Sequence, residues 1–133
     1  MLFALIVTAT LFAPPQSKPD AIRVYVFTAH PENGIVDQAS KDRDGHTKTI
    51  IDRLKRDKTI AVVADRAGAD VTVEVTQTPN WHVEVQLSFG DYATEFHNRE
   101  WFTMRGAAED VADAMKRWIK DNRARVLEAR AKR

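Results

Sequence analysis

Apolar positions in the first half of the chain predict two strands joined by a helix. Residues 22–27 are apolar on both alternating faces around one arginine, which is typical of a strand covered on both sides, or nearly so. Residues 59–64 read Thr-Ile-Ala-Val-Val-Ala, and because this apolar run is too short for a helix, it predicts a central strand. Between the runs, Asp44 is a candidate cap for a helix over about 44–57, or for one that starts earlier. The order strand, helix, strand predicts a parallel pair joined by a right-handed crossover.

Alternating apolar and polar positions predict further strands in the middle of the chain. Val71, Val73 and Val75 alternate with Thr and Glu, which is typical of a strand with one wet face. A two-residue turn at Gly90-Asp91 then predicts a hairpin whose apolar residues share one face. On that face Phe89 is opposite Tyr92, Leu87 opposite Thr94, Val85 opposite Phe96 and Val83 opposite Asn98; on the other, Ser88 is opposite Ala93, Gln86 opposite Glu95, Glu84 opposite His97 and His82 opposite Arg99. One long strand over 82–97 with a bulge at the same turn gives the same side-chain directions, and the hairpin is the favoured alternative.

From Met104 onward the spacing of apolar residues changes to three and four, which predicts one long amphipathic helix. Its apolar positions are Met104, Ala108, Val111, Ala112, Met115, Trp118, Ile119 and Val126. The predicted order of elements is therefore β-α-β-β-β-(β)-α. We predict one α+β domain over residues 20–133, with a mostly antiparallel sheet of four or five strands. Two helices are expected to pack on one face of the sheet and to leave the other face partly exposed.

The first thirteen residues, Met1 to Ala13, carry no charge and lead into a proline-rich stretch that ends at Pro19. At about 1.5 Å per residue, a run this short reaches roughly 20 Å and does not span a bilayer core about 30 Å thick. It is typical of the apolar part of an export signal, although no basic segment precedes it. We expect residues 1–19 to be an export segment with a spacer, and the cut position stays open. The protein is then expected to be periplasmic or secreted, with no stable transmembrane span in the mature chain.

The charge and the cysteine content exclude several classes of function. With 20 basic and 19 acidic residues the formal net charge is +1, which argues against a nucleic-acid partner. The charge is uneven, because residues 116–133 hold eight Lys or Arg against two Asp or Glu. A solvated helix end is expected there, with docking on anionic lipid as a weaker alternative. The sequence has no cysteine, so it has no disulfide and no thiolate nucleophile or ligand.

The candidate metal ligands are His82, Glu84 and His97, which the hairpin register places on one face of the sheet. Zinc accepts two imidazoles and a carboxylate, whereas an open sheet offers neither a walled cavity nor groups that orient the ligands. A solvent-facing surface is therefore favoured over a metal site. Residues 42–45 resemble part of a calcium loop, but Ile51 stands where such a loop has its closing carboxylate, so no calcium site is predicted.

Three motifs in the middle of the chain carry a family resemblance. A helix end is followed by Thr-Ile-Ala-Val-Val-Ala, then by Gly-Ala-Asp-Val-Thr-Val-Glu-Val at 68–75, and then by a strand ending in Phe-Gly-Asp at 89–91. This order resembles the core of small periplasmic accessory domains of the TolB N-terminal and CsgG-like type. Such domains build or brace envelope assemblies and are not enzymes, so the resemblance implies a protein partner in the cell envelope. Val-Thr-Gln at 75–77 stands where these domains often carry a glycine.

Two other segments resemble short exported bacterial proteins of unknown role, Gly-Asp-Tyr-Ala-Thr-Glu-Phe at 90–96 and Trp-Ile-Lys-Asp-Asn-Arg at 118–123. No serine lies in a nucleophile-elbow motif, and the five glycines form no phosphate-binding loop. We therefore predict no catalytic residue and no cofactor. The expected function is that of a non-catalytic binding or envelope-assembly domain that uses the exposed sheet face and the hairpin tip. The alternative is a metal-dependent enzyme that uses the His/Glu/His cluster on the sheet.

Overall fold

Five strands form one mixed sheet with three helices packed against it in the computed structural model, which describes residues 21–29, 38–78, 82–98 and 103–133. The strands are β1 (Ile22–Thr28), β2 (Ile60–Val62), β3 (Val71–Thr78), β4 (His82–Phe89) and β5 (Tyr92–His97), in the spatial order β2-β1-β3-β4-β5. The helices are α1 (Gln38–Lys55), α2 (Met104–Asp121) and α3 (Arg123–Ala131). The α+β class is as predicted, and the export segment predicted over 1–19 lies outside the described residues.

The predicted parallel pair is confirmed, because β1 and β2 are parallel with Ile22 opposite Ile60. β1 also pairs in parallel with β3, whereas the β3-β4 and β4-β5 pairs are antiparallel. The prediction of a central position for residues 59–64 is wrong, since β2 is a three-residue strand at the edge of the sheet. Its apolar character reflects packing against α1, under which Ile60 is buried, and does not require strands on both sides.

β1 is fully covered on one face only, where Ile22, Val24 and Val26 are buried. On its other face Arg23 is exposed and the two aromatic residues of the strand are half-buried. The prediction of nearly complete cover on both faces is therefore wrong for the second face. The helices lie on one side of the sheet, and the side chain of Arg66, from a one-turn 3-10 helix after β2, reaches the aromatic rings on the other side.

The hairpin predicted at Gly90-Asp91 is confirmed, and the bulged single strand is wrong. β4 and β5 are antiparallel from the Phe89–Tyr92 pair next to the turn to the Glu84–His97 pair at the far end. Gly90 has φ of +54°, in the left-handed region that glycine enters without steric cost. The turn thus sets the register that divides the polar from the apolar side chains of both strands.

The first helix starts earlier than the capping argument places it. α1 begins at Gln38, so Asp44 lies inside the helix and does not cap it. Residues 42–45, compared above with a calcium loop, are helical as well. α2 does begin with a cap, because the Thr103 hydroxyl accepts a hydrogen bond of 2.9 Å from the Gly106 backbone N–H.

The single long helix predicted after Met104 is two helices, so the prediction of a two-helix layer is wrong. Asn122 separates α2 from α3, with φ of −108° and ψ of 11°, and its side-chain amide donates to the Trp118 carbonyl at 2.9 Å. α3 then contacts the sheet through Arg130, which bonds a residue 60 positions earlier in the chain. Hydropathy spacing carries no information about such a contact, since both helices continue the same apolar period.

The core lies between the helices and the inward face of the sheet. α1 packs on β1, β2 and β3, whereas α2 packs on β4 and β5. The largest fully buried side chains are Ile22, Ile50, Leu54, Leu87, Met115 and the valines at 24, 71, 73, 75, 83, 85 and 111. None of the helices in the described ranges combines the length and the hydropathy that a membrane-spanning segment needs.

Candidate partner-binding face

The candidate site is the sheet face opposite the helices, here called the open face. Because side chains alternate along a strand, the residues between the buried valines point away from the core. The open face consists of Arg23, Tyr25 and Phe27 on β1, Thr72, Glu74 and Thr76 on β3, Glu84, Gln86 and Ser88 on β4, and Ala93, Glu95 and His97 on β5. All of these residues are exposed or half-buried, so the expected exposure of the second sheet face is confirmed.

An aromatic pair covered by an arginine lies at the β1 side of the open face. The rings of Tyr25 and Phe27 are nearly parallel, with centroids 5.5 Å apart and an interplanar angle of 18°. The Arg66 guanidinium carbon lies 4.7 Å from the Phe27 centroid and 5.8 Å from the Tyr25 centroid. These are cation–π distances, and they place a positive charge over the largest apolar surface of this face.

Carboxylates lie on the other strands of the open face, so its charge is divided. The strand registers place Phe27 opposite Glu74, Glu74 opposite Gln86, and Gln86 opposite Glu95, which makes one straight row across four strands of the described sheet. In the next row Glu84 lies between the residues that pair with it on β3 and β5. The face is therefore acidic across β3, β4 and β5, and it is aromatic and basic at β1.

The structure brings together two of the three predicted metal-ligand candidates. Glu84 and His97 are cross-strand neighbours on the open face. The backbone of His82 pairs with Thr78 at the start of β4, and its side chain lies outside the described residues. Within those residues no group of three or more His, Asp or Glu is placed to hold a metal ion.

The hairpin tip, predicted as part of the contact surface, packs its aromatic residues against the helices. Tyr92 stacks on Trp118 of α2 with centroids 5.8 Å apart, and Phe89 lies 5.6 Å from the same ring. The Arg125 guanidinium carbon lies 4.8 Å from the Tyr92 centroid. Since these rings are engaged with the helix layer, the surface that the tip exposes is the turn at Gly90-Asp91.

Sequence reasoning missed a buried ion-pair cluster around Asp70. The Asp70 side chain is 1% exposed and accepts hydrogen bonds from the Arg23 backbone N–H at 2.8 Å, from Arg130 Nε at 2.9 Å and from Arg133 Nη2 at 2.6 Å. Arg130 Nη2 also donates to Asp70 Oδ2. The cluster joins the start of β3 to the end of α3. Two of the cations in the basic C-terminal stretch therefore hold the fold together, and the sequence signal for this is only the Ala-Asp junction at 69–70.

The carboxylate of Asp70 stays charged in spite of its burial. Burial alone raises the pKa of Asp70, but the hydrogen bonds from Arg130 and from the Arg23 backbone, with the charges of Arg130 and Arg133, outweigh it and lower the pKa. All four hydrogen bonds to the Asp70 carboxylate come from residues of this chain. Both carboxylate oxygens are therefore already bonded, and the cluster offers no position for a ligand.

His46 is the other buried polar group that sequence reasoning missed. It is 3% exposed on the inner side of α1, and neither ring nitrogen has a hydrogen-bond partner among the described residues. Burial lowers the pKa of His46, and the charge of Asp42 opposes this in part. The imidazole is therefore neutral near pH 7, because it is buried in the core.

A cationic groove with a volume of about 310 Å³ lies between α1 and α2 on the outer side of the helices. It is lined by Lys48, Thr49, Asp52, Arg53, Arg56, Arg105 and Glu109. Arg53 makes a two-fold hydrogen bond to Asp113, at 3.1 Å for each contact, and it approaches Glu109 at 3.8 Å. Arg53 thus joins the two helices, whereas Arg105 pairs with Glu109 within α2 at 3.2 Å.

Comparison with known proteins assigns no family. The chain matches no family model, no curated protein and no solved structure. The resemblance to envelope accessory domains therefore stays a prediction from the sequence, and any statement about function depends on the open face itself.

Proposed function

We propose that this protein is an exported, non-catalytic binding or assembly domain whose partner is a protein and whose contact surface is the open face. The observation that carries the proposal is the pair of half-buried aromatic rings on a sheet face that the helices leave open. Tyr and Phe contribute large apolar area for few rotatable bonds, which suits them to protein interfaces. The charges around the pair add the directional contacts that make a docking surface specific.

The arrangement of the sheet supports the proposal further. A sheet with one face packed and one face wet needs only polar side chains on the wet face, and β3 and β4 follow that rule. β1 departs from it, because Tyr25 and Phe27 occupy positions where a polar strand-forming residue such as threonine would also be compatible with a strand. A partly exposed aromatic patch rimmed by charges is typical of an interaction site.

In-cell photocrosslinking tests the proposal. A photoreactive amino acid replaces exposed Gln86 at the centre of the open face, and a matched control replaces exposed Lys120 on the outer side of α2. We expect one discrete protein adduct from position 86 that is absent from position 120 and is lost when Phe27→Glu is added. Equal labelling from both positions, or no adduct from position 86, contradicts the proposal.

Export is the second part of the proposal, and it depends on residues 1–19. Peptide mapping of the protein from fractionated cells checks it. We expect the chain in the envelope or the medium without its apolar N-terminal peptide. An intact N-terminus on protein in the soluble interior of the cell contradicts export and leaves the open-face proposal to the crosslinking experiment.

The metal-dependent enzyme is the second candidate, and the neighbouring positions of Glu84 and His97 favour it. Metal analysis of protein purified without a tag or chelator discriminates the two functions. If the protein binds stoichiometric zinc that is lost in His97→Ala and retained in the His46→Ala control, the metal-dependent enzyme replaces the binding domain as the proposed function. Protein free of bound metal supports the open face as a docking surface.

A further inference from the structure

We propose that the occupant of the open face is a second copy of this chain, bound face to face about a twofold axis that runs along the strands between β3 and β4. The inference rests on the proposed function, because it names the partner of the same surface. It is carried by the strand registers, which make the open face complementary to itself about this axis.

The registers determine which residues meet across such an interface. A twofold rotation about this axis places β3 against β4 of the second copy, and β1 against its β5. In the row that contains Phe27, Glu74 then faces the partner's Gln86, whose amide can donate to the carboxylate. Phe27, together with the Arg66 guanidinium above it, faces the partner's Glu95. The basic part of one copy thus meets the acidic part of the other, twice in each dimer.

The rows on either side are complementary as well. In the row of Tyr25, the ring faces the partner's Ala93, so that a bulky side chain meets a small one. In the next row, the Thr76 hydroxyl faces the partner's Glu84 and can donate to it. Aligned sheets cross at about −30°, so the agreement is closest for the β3-β4 pairs beside the axis and decreases towards the β1-β5 pairs.

Two other axes bring like charges together. An axis along β3 places Glu74 against its own copy, because β3 then faces β3. An axis across the strands along the row of Phe27 does the same to both Glu74 and Glu95. Like charges facing each other in an interface are strongly unfavourable, so these two axes are disfavoured relative to the axis between β3 and β4.

The size of the open face indicates a weak dimer. Strands about 4.8 Å apart with a rise of about 3.3 Å per residue give a face of roughly 20 by 20 Å. Such a face covers roughly 400 Å², about half of the roughly 800 Å² that each partner buries in a specific interface of standard size. We therefore expect weak association that depends on protein concentration.

Charge reversal tests the pairing. The protein as purified from its cell is analysed by sedimentation velocity over a concentration series, as the wild type and as Arg66→Glu, Glu95→Arg and the double variant. Each single variant is expected to weaken dimerisation by at least about tenfold, and the double variant to restore it, because the pair is re-formed with opposite polarity. Lys120→Glu on the outer side of α2 is the matched control and is expected to dimerise like the wild type. Circular dichroism of each variant verifies that it is folded.

The cysteine-free sequence allows a direct test of the axis. Protein with Glu74→Cys is mixed with protein carrying Gln86→Cys and is treated with a short thiol-to-thiol crosslinker, because facing sheets lie about 10 Å apart and a disulfide needs Cα atoms closer than about 7 Å. The mixture is expected to form a crosslinked heterodimer in several-fold excess over either protein alone, since position 74 faces position 86 across the axis. Crosslinking of Glu74→Cys alone at the same yield contradicts this axis.

The outcomes separate this inference from the proposed function. A wild type that stays monomeric over the whole series, with an adduct from position 86 to a different protein, overturns the inference and leaves the proposed function standing. A monomer without any adduct overturns both. A dimer that Lys120→Glu weakens and that the open-face variants do not affect also overturns the inference.

Discussion

At the scale of single residues, burial decides what an ion pair contributes. Asp70 and Asp113 each receive paired hydrogen bonds from an arginine, so their local geometries are similar. The Asp70 side chain is 1% exposed, whereas that of Asp113 is 36% exposed. Removing the charge from a buried pair leaves the arginine charges uncompensated, but water replaces a lost partner at the surface.

Asp70→Asn is expected to lower the free energy of unfolding by about 2–4 kcal/mol, because Asp70 is buried and the largely buried Arg130 loses its counter-charge. Asp113→Asn, the matched control, is expected to cost about 0.5 kcal/mol. Urea unfolding at pH 7 measures both. Equal losses in the two variants contradict the account of Asp70 as the anchor of α3.

His46 is expected to make the protein less stable in mild acid. Burial lowers its pKa in the folded chain, so the unfolded chain binds the proton more tightly. Stability is then full above the unfolded pKa of about 6.5 and falls as the pH drops from there towards the folded pKa. His46→Phe is expected to lose less stability than the wild type between pH 7.5 and pH 5 in urea unfolding. An identical loss in both proteins contradicts the assignment.

At the scale of elements, the same substitution has opposite effects in a helix and in a turn. Gly45 lies inside α1, and a Cβ atom there meets nothing within 4 Å. Gly90 also has open space around it, but its φ of +54° is unfavourable for other residues. Backbone conformation, and not space, therefore separates the two glycines.

Gly45→Ala is expected to raise the free energy of unfolding by about 0.5–1 kcal/mol, since alanine favours the helix. Gly90→Ala is expected to lower it by about 1 kcal/mol, because alanine is strained at positive φ. Gly90→Asn is expected to recover part of this lost stability, because asparagine tolerates positive φ better than alanine does. Thermal unfolding followed by circular dichroism measures all three. A stabilising Gly90→Ala contradicts the turn geometry.

At the scale of the whole molecule, one sheet joins two packing units. α1 covers the parallel part of the sheet and α2 covers the antiparallel part, and β3 belongs to both. The buried side chains of both parts form one continuous cluster. We therefore expect the two parts to unfold together.

Ile50→Ala tests this cooperativity, because Ile50 is fully buried on α1 whereas Trp118, one of the three tryptophans in the sequence, packs on the antiparallel part. The variant is expected to lose about 2–4 kcal/mol of stability. Tryptophan fluorescence and far-UV circular dichroism are expected to give the same midpoint in urea. Leu87→Ala on β4 is the matched variant in the other part of the sheet. Separate midpoints in either variant contradict a single cooperative unit.

The local pattern of apolar and polar residues was sufficient to predict much of the fold. The period of two in residues 83–96 predicts the polar face of β4 and β5, because each side chain's direction follows from its parity alone, and the turn residues Gly90-Asp91 favour the hairpin register. The parallel pair and the α+β class also follow from the order of periodic segments. The candidates Glu84 and His97 are correctly placed side by side for the same reason.

By itself, the sequence determined which side chains share a face of each strand and helix, because alternation and helical period are local properties of a short segment. Only the tertiary structure decided that β2 is an edge strand, that the last helix is divided at Asn122, that Asp70 binds two distant arginines and that Arg66 covers the aromatic pair. These features depend on contacts between residues that are tens of positions apart in the sequence. Such contacts result from the packing of the whole chain, and no local periodicity encodes them.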